Sequence, residues 1–183
     1  VLVIAGSDSV GGAGVQADIK TCTARGVYAM TAITAVTAQN TLGVRAFEPV
    51  SPSLLRAQLD AVADDVRPDA VKIGMLPDED SIDVVADFIR ARSLERVVLD
   101  PVMVATSGDG LTSGDTCDAL RRRLLPLSTV VTPNLEELGR LSGTPITAIS
   151  DIVESGRSIM ADCGCFSMLL KGGHATADAC GNI

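Results

Sequence analysis

Short apolar runs and amphipathic segments alternate along the chain from end to end. The runs VLVIA at 1–5, MTAITAVT at 30–37, AVKI at 70–73, RVVL at 96–99, TVVT at 129–132 and SMLLK at 167–171 read as strands. Each is brief and has turn residues nearby, as strands buried on both faces of a parallel sheet do. VRAFEPV, at 44–50, is a weaker run and is expected to be an edge strand if it is a strand at all. Helical spacing fills the intervals. Val15, Ile19 and Cys22 fall at i, i+4 and i+7, as do Leu55, Leu59 and Val62; Ile82, Val85, Ala86 and Ile89 complete the i, i+3, i+4, i+7 stripe. Ile152, Ile159, Met160 and Cys163 continue one face late in the chain.

Strand and helix in alternation predict βαβ units with right-handed crossovers. The expected fold class is α/β, a three-layer αβα domain with a mostly parallel central sheet. With 183 residues and no repeat or linker, one domain over 1–183 is expected. In such sheets ligands bind outside the carboxyl ends of the strands. The segments that follow the strands are GSDSVGGAG, AQN at 38–40, IGML at 73–76, DPVMVATSGDG at 100–110, PNLEE at 133–137 and KGGH at 171–174. Gly, Asp, Asn, Gln and Lys thus gather at one end of the sheet.

Charge and composition narrow the ligand. A net charge of −8, with three Phe, one Tyr and no Trp, argues against nucleic acid, which rewards clustered cations and stacking aromatics. The single basic run, Arg121-Arg122-Arg123, reads as a solvated helix face. No apolar run approaches the length of a membrane span, so no membrane partner is expected. Five cysteines form no CxxC pair and no ligand-spaced cluster with the single His174. That usage, with no leader-like segment before Val1, gives a cytoplasmic location as the expectation. Val1 already lies in an apolar run, so the chain is expected to be part of a longer protein.

The opening, VLVIAGSDSVGGAGVQADIK, packs four glycines around Asp8. Such density suggests backbone approaching a ligand. A Walker loop is excluded, because no Lys occurs before Lys20. Gly12-Ala-Gly14-Val-Gln-Ala17 matches a relaxed GxGxxA, but Gly12 lies six residues beyond Gly6 and no acid ends the second strand. Asn134-Leu-Glu-Glu137 follows a strand and a proline. It has the form of a capping box. The same pair could hold magnesium-bound water near phosphates. Lys171 ends an apolar run beside two glycines, where a lysine can face a phosphate.

Taken in order, AGSDSVGGAGVQADIKT, GVYAMTAITAVTAQNTLGV, VKIGML, VVLDPVMVATSGDGL, VVTPNLEEL and LLKGGH resemble the landmarks of the hydroxymethylpyrimidine/phosphomethylpyrimidine kinases of thiamine biosynthesis, within the ribokinase-like superfamily. The resemblance spans residues 1 to about 174. It implies ATP- and Mg²⁺-dependent phosphorylation of 4-amino-5-hydroxymethyl-2-methylpyrimidine or its monophosphate. By position it implies that Asp18 and Gln39 hydrogen-bond the aminopyrimidine while Gly6, Met75 and Val102 line its pocket. Asn134 and Glu137 match the N-x-x-E magnesium–phosphate motif, and Asp100 and Lys171 fall on the phosphate side. The implied partners are a small pyrimidine and ATP, with a homodimer as the assembly to test. A pyridoxal kinase and a catalytically silent pyrimidine-binding domain are the alternatives.

The chain departs from the family pattern in three places. Val10 replaces a usual Gly or Ser and is expected to stiffen the loop; Thr106 stands where Lys is common. The GTGC-type loop that carries the anion hole and the catalytic base has no counterpart in the chain. No catalytic residue is therefore assigned, and the 183-residue chain is expected to bind the pyrimidine without phosphorylating it.

Overall fold

Every apolar run read as a strand forms one. The computed structural model describes residues 1–103, 114–146 and 148–172. Among them, strands β1 (Leu2–Ser7), β2 (Met30–Asn40), β3 (Gly43–Pro49), β4 (Val71–Ile73), β5 (Val97–Leu99), β6 (Val130–Val131) and β7 (Ser167–Met168) join one sheet. Its order is β3-β2-β1-β4-β5-β6-β7. All neighbours run parallel except β2 and β3, which pair antiparallel from Ala35↔Pro49 to Asn40↔Gly43.

The weak run at 44–50 is thus a true edge strand, and its pairing has a consequence. β1 and β2 last pair at Ser7↔Val36, yet β2 continues to Asn40 because β3 supplies its ladder. AQN at 38–40 therefore belongs to the strand instead of following it. SMLLK is shorter than expected as a strand, but Leu169 and Lys171 still donate to Val131 and Pro133 carbonyls.

The helices are α1 (Gly14–Ala24), α2 (Pro52–Asp65), α3 (Glu79–Ala91), α4 (Gly114–Ala119), α5 (Leu135–Ser142) and α6 (Ile149–Cys163). Alternation along the strands divides them between two faces. Leu2, Ile4, Ile73, Val97, Leu99 and Val131 meet residues of α2 to α6 in one large core, which includes Phe88 and Leu59. Val3 and Ala5 point the other way and pack on Val15 of α1. Burying each such large side chain contributes about 1.5–3 kcal/mol.

α3 fulfils its pattern: Ile82, Val85, Ala86 and Ile89 are at most 2% exposed, and Asp78 and Ser81 cap one another at its start. The stripe on α1 holds only at Val15. Ile19 is 39% exposed, and Cys22 is only partly buried. The arginine run forms a π turn, Leu120–Leu124, and is only partly a solvated face. Arg121 donates to the Leu141 carbonyl and Arg123 pairs with Asp83, leaving Arg122 outward.

Candidate active site

The glycine-rich opening is organised around one carboxylate. Asp8, 5% exposed, accepts from the backbone N–H groups of Val10 (3.0 Å), Gly12 (2.9 Å) and Ala13 (2.8 Å). Three donors directed at one carboxylate curl the loop back onto the N-terminus of α1, where negative charge is favoured. Gln16 closes the turn: its Oε1 accepts from Asp8 N at 2.8 Å and its Nε2 donates to Ser7 Oγ at 2.7 Å. Gly14, at φ +57°, lies so close to Gly6 that a side chain would press into the Gly6 carbonyl oxygen. This glycine answers the chain's own backbone. Val10 projects its side chain into solvent, and its N–H is fixed by Asp8.

β2 holds the loop from the other side. Ser9 Oγ donates to the Thr37 carbonyl, and Thr37 Oγ1 donates to the Ser7 carbonyl at 2.8 Å. Between this loop and the carboxyl ends of β1, β2 and β4 to β7 runs a cleft of about 350 Å³. The nine residues assigned to the site by the resemblance, Gly6, Asp18, Gln39, Met75, Asp100, Val102, Asn134, Glu137 and Lys171, line it.

At the β2-β1-β4 end stand Gly6, Asp18, Gln39, Met75 and Val102. Met75 and Val102 supply an apolar floor, continuous with Ala35. A Cβ at Gly6 would come within 2.7 Å of the Met75 methyl, so a side chain there would have to displace the end of Met75. Met75 is itself held by Thr34, whose hydroxyl donates to the Met75 carbonyl at 2.7 Å. Gln39 Oε1 lies 3.4 Å from Thr37 Oγ1, and its amide nitrogen has no protein partner among the described residues. Asp18 Oδ2 accepts from Lys72 Nζ at 2.7 Å.

At the β5-β6-β7 end stand Asp100, Asn134, Glu137 and Lys171. Asp100 Oδ1 accepts from Lys171 Nζ at 2.6 Å and from Thr132 Oγ1 at 3.1 Å. Asn134 and Glu137 form the capping box of α5. Glu137 is 5% exposed, and burial pushes its carboxyl above the usual glutamate range; the Asn134 N–H and the nearby Lys171 charge oppose that shift. One Glu137 oxygen and the Asn134 oxygen are spent on the cap, so a cation here would keep several waters. That suits Mg²⁺, which sheds water reluctantly. The described residues contain no group of three metal-ligating side chains.

Sequence reasoning missed Lys72, Asp8 and Thr37. Lys72 carried a usable signal, a charge inside the apolar run AVKI. Thr106, Asp109, His174 and Cys180 lie outside the described residues. Of the described cysteines, Cys165 is buried, and burial pushes its thiol up, away from reactive thiolate character.

The profile of the phosphomethylpyrimidine kinase family matches residues 8–182. The hydroxymethylpyrimidine/phosphomethylpyrimidine kinase of Bacillus subtilis is 46% identical over 177 residues, 97% of this chain and 65% of that protein. The chain therefore spans about two thirds of the length of such relatives. The crystal structure of phosphomethylpyrimidine kinase from Clostridium difficile superposes with a TM-score of 0.86 at 39% identity, over 97% of this chain and 77% of that one. Pyridoxal kinase from Staphylococcus aureus, solved with AMP-PCP and pyridoxal, gives 0.83 at 36% identity, over 95% of this chain and 62% of that one. The fold is ribokinase-like, and the chain belongs to the phosphomethylpyrimidine kinase family.

Proposed function

We propose that the chain binds 4-amino-5-hydroxymethyl-2-methylpyrimidine, or its monophosphate, at the β2-β1-β4 end of the cleft and ATP phosphates at the β5-β6-β7 end, for transfer of the γ-phosphoryl group. The observation that carries this reading is the partition of one cleft. Its first end joins an apolar floor to Asp18 and the amide nitrogen of Gln39, which has no partner among the described residues. Its second end joins the Lys171–Asp100 pair to Glu137 and Asn134.

A flat aminopyrimidine suits the first end, since its ring needs an apolar surface and its edge offers both donor and acceptors. Lys171 would neutralise phosphate charge, and Glu137 with Asn134, beside Asp100, would hold Mg²⁺ through water. The ion, when bound, would offset charge on the phosphate oxygens. The chain's own contribution is to align the hydroxymethyl oxygen with the phosphoryl group, because such transfers depend mainly on positioning and charge neutralisation. The likeness to a pyridoxal kinase solved with its substrate supports a second reading, a pyridoxal-type ring in the same end.

Calorimetric titration with the pyrimidine and with pyridoxal, each with and without AMP-PCP, tests the assignment, and ADP formation tests transfer. Pyrimidine binding is the expected result. Binding of pyridoxal alone replaces the substrate, and binding of neither overturns the reading. Binding without ADP identifies a pyrimidine-binding domain that lacks the transfer step.

A further inference from the structure

We propose that Lys72 is a specificity-determining residue: with Asp18 it forms a donor–acceptor pair that reads the amino group and the adjacent ring nitrogen of the pyrimidine. This rests on the pyrimidine reading above.

Lys72 occupies a place where a sheet wants an apolar residue. It is the middle residue of a three-residue central strand, in register with Val3 on one side and Val98 on the other. Its ammonium runs along the α1 face to meet Asp18 at 2.7 Å, and both side chains are only about a quarter exposed, 27% and 22%. Room for it is kept by Gly74, where a Cβ would stand 3.1 Å from Nζ. A charge placed so costs desolvation that a surface pair would not. Stability gives no reason to prefer it over valine.

Counting donors shows what the pair can do. A carboxylate only accepts, so Asp18 can take an N–H of the substrate amine and nothing from the ring nitrogens. The ring nitrogens only accept, so they need donors. At this end of the cleft the Thr37 hydroxyl is committed to Ser7, and the side-chain donors beside Asp18 and the apolar floor include the Gln39 amide nitrogen and the Lys72 ammonium. The ammonium carries three N–H groups, and among the described residues its one protein hydrogen bond is to Asp18. Acceptor and donor therefore stand side by side, 2.7 Å apart, complementary to an amine beside a ring nitrogen. Gln39 is left for the second ring nitrogen.

The test is calorimetry on the chain and its Lys72→Met variant, with the pyrimidine and with AMP-PCP. Loss of a charged donor to a buried ring atom should weaken the pyrimidine about tenfold to a hundredfold. AMP-PCP affinity should stay within about twofold of its starting value, since each protein-ligand contact removed lies outside the phosphate end. A role limited to aiming Asp18 makes a separate forecast: Lys72→Met would then cost nothing further on an Asp18→Asn background, and that result overturns direct readout. Should Lys72→Met fail to fold, reductive methylation of the unaltered chain replaces it. Saturating pyrimidine should protect Lys72 severalfold, and AMP-PCP alone should not; equal labelling with and without pyrimidine overturns the proposal. If the unaltered chain binds no pyrimidine, the functional reading itself fails. If it binds and Lys72→Met binds as well, only the role of Lys72 fails.

Discussion

Asn134 and Glu137 hold each other across the first turn of α5. Glu137 N donates to Asn134 Oδ1 at 2.9 Å, and Asn134 N donates to Glu137 Oε2 at 2.8 Å. The N-x-x-E pair is thus a capping box, and the proposed magnesium role draws on the same two side chains. The cap fixes both at the mouth of the cleft before any ligand arrives. Asn134→Ala should cost about 1 kcal/mol, as loss of an N-cap does, and lower the melting temperature by about 2–4 °C. A melt unchanged within error would show that the box contributes nothing to α5.

The buried Glu137 carboxyl gives a pH signature. Its pKa is raised by burial, so the native chain holds this proton more tightly than the unfolded chain, where glutamate titrates near about 4.3. Its stabilising contribution is therefore fully present below that value and is lost as pH rises through the higher folded pKa. Urea unfolding of the native chain and Glu137→Gln, from acid to neutral pH, should show the native chain losing stability relative to the variant. Parallel curves would remove the burial argument.

Lys171→Met should weaken AMP-PCP about tenfold to a hundredfold, as expected for loss of a charged partner. Pyrimidine affinity should hardly change, because the Lys171–Asp100 pair lies at the other end of the cleft. Equal losses for the two ligands would place Lys171 outside the phosphate end.

Gln39→Ala should do the reverse. Removing an amide that satisfies buried ring atoms costs about 1–3 kcal/mol, and AMP-PCP binding should survive. Calorimetry decides it: unchanged pyrimidine affinity removes Gln39 from the site.

Gly14→Ala probes the loop itself. A side chain at φ +57° carries backbone strain and meets the Gly6 carbonyl, so destabilisation of roughly 2–4 kcal/mol is expected. A melt within about 2 °C of the native chain would show that the loop can shift without loss.

The parts legible in the sequence were those set by periodicity. The α3 stripe is one run of residues facing one core, and its burial follows from spacing alone. Gly6, Gln39, Asn134 and Lys171 could be placed at one end of the sheet because each falls at or just beyond the end of an apolar run. The remainder depended on partners distant in sequence. That β2 would outrun β1 depends on β3 pairing back along it, which no local pattern in 30–40 reveals. Asp8 looks like an ordinary turn acid until three N–H groups converge on it. Lys72 looked like a strand residue because its partner, Asp18, is 54 positions away on a helix over the sheet.

Those separations also set the order in which the cleft comes into being. β1 lies at the centre of the sheet, between β2 and β4, so this strand must wait for residues 71–73 before it is flanked on both sides. The Asp18–Lys72 contact spans 54 residues and the Asp100–Lys171 contact 71. A chain emerging from its N-terminus can close the first once Lys72 is free and cannot close the second until Lys171 follows. The β2-β1-β4 end of the cleft, whose last lining residue in sequence is Val102, can thus form about seventy residues of synthesis before Lys171 completes the other end, so one half of the cleft is built on a half-made protein.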